Sequence, residues 1–425
     1  MSKIKVVVSC PIDTYSGYGA RARDFVQALL AIEKYDVRIL SQRWGNTRQG
    51  YLDDHQRDDL TSLIIPQLTY EPDIWIQITV PDEFKRVGKY NIGVTAGIET
   101  TLASPQWVMG CNQMDLVLTS SKHSKLVFEE SKYDMVDTSK GITQKIEVTT
   151  PIEVLFEGVD IEKYHPLELP TKFNLKDDVP ENFCFLAVGH WLPGALGHDR
   201  KNIGLLIKLF LEAFKNKPNP PALILKVSMV TSSIIDRNKI LSNIEKIRNE
   251  IKGTLPNVYL LHGDLTDEEM NELYNNSKVK AMISLTKGEG FGRPLLEFSV
   301  VGKPIIASAW SGHMDFLDSK LAILVGGEVK PIHKSAIAEN VLIEESSWFF
   351  PYDNHAIAAM KELKKNYDKY RVNAKKLGYK NKTNFSFEKM TETLDKILVK
   401  NLPEFPKQIG LKLPKLNLPK LEKID

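Results

Sequence analysis

Two carboxylates eight positions apart, Glu289 and Glu297, bracket the run Gly290-Phe291-Gly292-Arg293-Pro294-Leu295-Leu296. A strand ends at about Leu285, glycines at 288, 290 and 292 make a tight loop, and Pro294 is placed to be the first residue of a helix. A helix N-terminus behind a glycine loop is an anion site, because free backbone N–H groups and the helix dipole both favour phosphate there. One carboxylate lies in the loop and the other about a turn into the helix, so both face one ligand while touching different parts of it. An ionised carboxylate accepts two hydrogen bonds, which suits the vicinal hydroxyls of a sugar or a ribose.

The elements that must hold this loop follow a repeated grammar. Lys5–Ser9 reads as a buried strand, and the turn Ser16-Gly17-Tyr18-Gly19 leads into an amphipathic helix with Phe25, Leu29 and Leu30 on one face. Strands are expected at Asp36–Leu40, Ile74–Thr79, Ile92–Thr95, Leu116–Thr119 and Glu153–Phe156. The grammar restarts at Phe183 with FCFLAVGH, a helix over Leu205–Phe214, and strands at Ala222–Val227, Val258–Leu261, Lys280–Leu285 and Pro304–Ala307. Strands alternating with helices imply parallel sheets covered on both faces, here an α/β chain of two Rossmann-like units. Asp160–Pro180 reads as a hinge-bearing linker. From about Leu402 prolines recur every few residues among lysines, which forbids a helix and favours an extended strap or a segment that docks a partner.

Composition narrows the function. The chain has 425 residues, 42% of them hydrophobic, enough for two cores, and 56 basic against 54 acidic side chains leave a net charge of only +2. A nucleic-acid binder recognised by overall charge is excluded, so any basic surface is local. Cys10, Cys111 and Cys184 are odd in number and far apart, the pattern of reduced thiols in a cytoplasmic protein. The start, MSKIKVVVSC, reads as a strand and not a signal peptide, and no run approaches the roughly 20 apolar residues of a membrane span.

The Glu289/Glu297 pair with GFGRPLL between them resembles the E-x7-E motif of retaining GT-B glycosyltransferases, and in particular glycosyltransferase family 4. Three further segments agree in order. VLFEGVDIEKYHP (Val154–Pro166) is similar to the family segment that closes the N-terminal domain, Arg200-Lys201-Asn202 to its basic diphosphate site, and VGKPIIASAWSGHMDFL (Val301–Leu317) to a following strand and loop. The resemblance implies a GT-B fold, two Rossmann-like domains facing across a cleft. Residues 1–165 would form the acceptor domain, 166–385 the nucleotide-sugar donor domain, and 386–425 a C-terminal helix and Pro/Lys-rich tail. The implied enzyme is a hexosyl- or pentosyltransferase that retains anomeric configuration, uses a nucleotide-diphosphate sugar as donor substrate and needs no cofactor.

Residue by residue, the resemblance gives Glu289 the donor-sugar hydroxyls and Glu297 the ribose. The amides of Gly290, Phe291 and Gly292 would take sugar and phosphate, and Lys201 with Arg200 the diphosphate. Gly17 and Gly19 match the glycine loop that closes over the diphosphate from the other domain. The sequence departs from the family in carrying His190 where many members have arginine, in the longer loop WLPGALGHD, and in Thr95-Ala96-Gly97-Ile98-Glu99-Thr100 where a histidine is frequent. Glu99 and Thr100 are the acceptor-side candidates, since α/β sheets place ligand groups at the carboxyl ends of strands. No metal site is expected: the histidines show no HxxxH or HxE pattern and there is no DxD spacing. The acceptor is open between a glycan or other hydroxyl compound and a hydroxylated base in modified DNA, touched by Lys122, His123 and Lys125. A non-catalytic scaffold of the same fold is the reading outside enzymes.

Overall fold

The computed structural model describes residues 3–137, 142–168, 175, 178–192, 194, 196–229, 233–338 and 341–405. The first half holds β1 (Ile4–Cys10), β2 (Tyr35–Ser41), β3 (Ile74–Ile78), β4 (Tyr90–Val94) and β5 (Leu116–Thr119), then the hairpin of β6 (Tyr133–Asp137) and β7 (Ile142–Ile146), then β8 (Ile152–Val154). The second half holds β9 (Cys184–His190), β10 (Ala222–Ser228), β11 (Val258–Leu260), β12 (Val279–Ser284), β13 (Ile305–Ser308) and β14 (Ile323–Val325), and ends in the hairpin of β15 (Gly327–Pro331) and β16 (Ser347–Pro351).

Six strands form one parallel sheet in the order β2-β1-β3-β4-β5-β8, and six form a second in the order β11-β10-β9-β12-β13-β14. Each sheet reverses its strand order beside its first strand, so a crevice opens at the carboxyl ends between β1 and β3 and between β9 and β12, where such sheets bind ligands. Buried, branched side chains build the strands: Val6, Val7 and Val8 of β1 are all fully buried, as expected where helices cover both faces. The helix Gly17–Ile32 starts where Ser16 Oγ accepts the Gly19 N–H at 2.9 Å, and it buries Phe25 and Leu29.

The structure adds partners to two segments. Asp160–Pro180 does not begin as a loose hinge: the Tyr164 hydroxyl donates to Asp267 at 2.9 Å, Lys163 Nζ to the same carboxylate at 3.0 Å, and the Leu167 N–H to Asn275 at 2.8 Å. These bonds pin the first part of the crossover to the helix Asp267–Asn275. The C-terminal helix, Phe387–Asn401, returns to the first domain: Met390, Leu394, Ile397 and Leu398 recur at helical spacing and complete its core. Leu402 and Phe405 lean on the same core, whereas the proline-rich residues 406–425 lie outside the described residues. All three cysteines are free and buried, and burial pushes the Cys10 and Cys184 thiols up to about 12. Among the described residues no helix is long and apolar enough to cross a membrane.

Candidate functional site

The loops after β9 and β12 leave adjacent strands at the reversal point of the second sheet, and they bring Arg200, Lys201 and Glu289 together. Lys201 Nζ donates to both Glu289 oxygens at 2.6 and 2.7 Å, and Arg200 Nη1 lies 3.4 Å from Oε2 while donating to the Gly288 carbonyl at 2.8 Å. Glu289 is only 7% exposed. Burial alone would push its carboxyl up, but Lys201 and then Arg200 outweigh that and hold it down at about 2. The acid therefore stays ionised at any physiological pH, an acceptor-only group beside two cations.

The helix after the glycine loop is Arg293–Val300, so it opens one residue before Pro294, which takes the second position. Its cap is Gly292, at φ 95°, a left-handed conformation that a side chain would strain. Glu297, four residues in and 7% exposed, accepts from Arg293 Nε at 2.8 Å and lies 3.5 Å from the Tyr274 hydroxyl. Burial pushes its carboxyl up, to about 7, against the pull of Arg293. The Phe291 ring is buried in the second core, 5.1 Å from the Phe316 ring, so only the backbone of Phe291 is available to a ligand.

Each motif glutamate is linked through an arginine to a carboxylate of the first domain. Arg200 spans Glu289 and Glu99, with 3.5 Å to the latter, and Arg293 spans Glu297 and Asp24. The close approach depends on glycine. A Cβ on Gly290 would meet the Ala96 carbonyl oxygen at 2.3 Å, and one on Gly288 the Glu99 carbonyl oxygen at 1.9 Å. Ser120 Oγ donates to the Gly290 carbonyl at 3.1 Å and the Lys122 N–H to Asp315 at 2.9 Å, which completes the contact. Gly290→Ala is accordingly expected to wedge the cleft open: a larger radius of gyration in solution scattering, with the secondary structure unchanged by circular dichroism. A radius equal to the wild-type value would contradict this contact.

Thr100 is the second acceptor-side candidate. It is fully buried and its hydroxyl donates to the Leu102 carbonyl at 3.1 Å, so its side chain is turned into the fold. Glu99, by contrast, faces Arg200 across the cleft. In the glycine turn of the first domain, a Cβ on Gly19 would meet the Thr14 carbonyl oxygen at 2.2 Å and its N–H is held by Ser16, whereas Gly17 has open space beside it. Of the three residues weighed as nucleic-acid contacts, Lys125 pairs with Glu129 at 3.7 Å. His123 packs edge-on to Trp310 at 4.6 Å, and burial pushes its imidazole down to about 4. Lys122 is exposed and meets the second domain through its backbone N–H, which donates to Asp315.

Sequence reasoning missed Lys287. Its ammonium donates to the carbonyls of Gly197 (2.5 Å) and Asp199 (2.9 Å) and to Asn202 Oδ1 (3.3 Å), beneath the ring of Phe350 at 4.9 Å. It staples the long loop that carries Arg200 and Lys201 onto the loop that carries Glu289. The hairpin β15–β16 supplies Phe350 and reaches the first domain, where Ser347 exchanges hydrogen bonds with Thr101 at 2.9 Å. A lysine between a buried strand end and a glycine loop is the local signal for such a staple; its carbonyl partners come from another loop and have none.

Comparison with known proteins agrees with this geometry. Residues 199–342, which contain Arg200, Lys201 and both motif glutamates, match the family model described as Glycosyl transferases group 1. No curated protein matches the sequence. Among solved structures, Anabaena HepE in complex with UDP and glucose superposes with a TM-score of 0.60 at 13% identity, over 93% of this chain and 100% of that one. The fold is that of the GT-B glycosyltransferases. Sucrose-phosphate synthase from Thermosynechococcus elongatus shares it with a TM-score of 0.61 and 13% identity, over 94% of this chain and 99% of that one. A glycosyltransferase from Rickettsia africae does so with 0.61 and 15%, over 95% and 99%. In the GT-B frame the two facing crevices form one cleft, with the carboxyl ends of both parallel sheets as its walls.

Proposed function

We propose that this chain transfers a sugar from a nucleoside-diphosphate sugar to an acceptor hydroxyl, with retention at the anomeric carbon. The observation that carries the reading is the buried cluster of Glu289, Lys201 and Arg200 at the reversal point of the second sheet. It places two cations beside an acid held ionised, and a first-domain carboxylate across from them. The matched family and the sugar-nucleotide complexes of GT-B neighbours support the donor class.

In this reading Glu297 accepts from the ribose hydroxyls and Glu289 from the donor-sugar hydroxyls, while the backbone of residues 290–292 lies along sugar and phosphate. The bond from the anomeric carbon to the diphosphate oxygen breaks, and Lys201 and Arg200 offset the charge that develops on that oxygen. The same oxygen takes the acceptor proton as the acceptor oxygen bonds the anomeric carbon from the same face. The protein contributes position and fixed charge, and closure of the two domains excludes water that would hydrolyse the donor. The acceptor enters from the first domain, where Glu99 lies 3.5 Å from Arg200. The free, buried thiols support a cytoplasmic setting.

With Arg200, Lys201 and a helix N-terminus to meet the diphosphate, no metal or cofactor is assigned a step. Transfer, or slow donor hydrolysis without acceptor, is expected to persist in excess chelator. Proton NMR of the first-formed sugar would show the anomer of the donor. Loss of turnover on chelation, restored by Mg²⁺ or Mn²⁺, or an inverted first product would contradict these parts of the reading.

A further inference from the structure

A second concavity lies at the opposite end of the donor domain from the cleft. It has a volume of about 580 Å³ and is walled by the amino end of β12, the end of the helix Arg293–Val300 and one face of the helix Tyr367–Asn384. Five basic side chains line it, Lys280, Lys303, Arg371, Lys375 and Lys382, and among the described residues no carboxylate does. In a chain whose net charge is +2, that is a strong local excess. β12 runs from this groove to the glycine loop, a separation of about 20 Å for a strand of its length.

The groove is built and not merely a set of surface lysines. Arg371, Lys375, Gly378 and Lys382 share one face of their helix, and a Cβ on Gly378 would meet the Ser299 carbonyl oxygen at 2.7 Å, so the helix is pressed onto the end of its neighbour and closes the floor. Lys303 Nζ is fixed in that floor by the carbonyls of Asn276 and Val279, both at 2.7 Å. Burial pushes the Lys303 ammonium down, to about 7, and the neighbouring charges of Lys280 and Arg371 push the same way. Lys280, Arg371, Lys375 and Lys382 have no carboxylate partner among the described residues. Arg371 and Lys375 stand four apart on an exposed helix face, where like charges oppose folding. An anion in the groove would relieve this repulsion and hold Lys303 in its charged form.

We propose that this groove is a second ligand site, for a small phosphate-bearing molecule, separate from the catalytic cleft. The concave shape and the volume fit a metabolite-sized ligand. Its phosphate would sit over Lys280, Lys303 and Arg371, and its remainder would run along Lys375 and Lys382 toward Tyr379, a ring 76% exposed. Charge-assisted hydrogen bonds from lysine and arginine to phosphate supply the affinity.

The test is calorimetric titration of the full chain with inorganic tripolyphosphate. The wild type should bind, and Arg371→Glu/Lys375→Glu, which alters two exposed side chains, should weaken that binding by at least about tenfold with a melting temperature no lower than that of the wild type. Lys382→Glu should weaken it by a smaller factor. Equal affinity in wild type and double variant would place the anion elsewhere and overturn the proposal, as would no binding. So would much tighter binding of a single-stranded oligonucleotide or of anionic phospholipid vesicles that is lost in the same double variant, because the surface would then serve a macromolecule or a membrane.

Discussion

Lys201→Ala is expected to lower kcat/KM by about 10²- to 10³-fold, the range found when one preorganised group facing developing charge is removed. The fold should suffer as well. Lys201 makes the two shortest contacts to the buried Glu289, and removing one partner of a buried pair leaves an uncompensated charge at a cost of about 3–5 kcal/mol. Arg200, at 3.4 Å, recovers part of that. The two effects separate in the double variant Lys201→Ala/Glu289→Ala, which should regain most of the stability in denaturant melts without regaining turnover. A double variant that regained both would reduce the pair to a structural ion pair.

The second large effect is on nucleotide binding and its pH dependence. Glu297 has its carboxyl raised from an ordinary 4.5 to about 7, so its contribution to stability is full below about 4.5 and is lost as the pH rises through 7. Binding runs the other way, because the ribose hydroxyls need the ionised acceptor. Affinity for a nucleoside diphosphate should therefore rise about tenfold between pH 6 and pH 8 in the wild type, as the ionised fraction rises by that factor. Glu297→Gln should bind more weakly at pH 8 and lose this slope. The proton on the nucleotide's own phosphate affects both proteins alike and cancels in the comparison. Equal slopes in calorimetry would remove Glu297 from the nucleotide site.

How much of this was legible in the sequence depends on the range of the interaction. Eleven of the twelve sheet strands were legible as short branched runs, and one such as Val6–Val8 announces itself locally, whereas the three-residue edge strand Ile323–Val325 was not expected. The glycine loop with its two glutamates is likewise contained within fourteen residues, Ser284 to Glu297. Partners were not legible. The amphipathic face of Phe387–Asn401 says that the helix packs, not that it packs on the first domain across the whole length of the second. Arg293 looks like a helix-opening residue until Asp24, 269 positions away, is found at its guanidinium. Thr100 sits at a strand end where ligand groups gather, yet its hydroxyl is satisfied two residues on, a local bond that spacing does not distinguish from an open site. The same holds for the basic groove, whose cations come from β12, the β13 approach and a helix some seventy residues later.

The central claim is that a nucleoside-diphosphate sugar sits between Lys201, Arg200, Glu289 and Glu297. The measurement that bears on it most directly is a panel of nucleoside-diphosphate sugars tested for protection against thermal unfolding, in wild type, Glu297→Ala and Lys201→Ala. A ligand that binds only the folded state raises its melting temperature by mass action. The account predicts that at least one donor raises the wild-type melting temperature in a concentration-dependent way and that both variants lose most of that shift. No shift with any donor, or a shift of equal size in all three proteins, would contradict it.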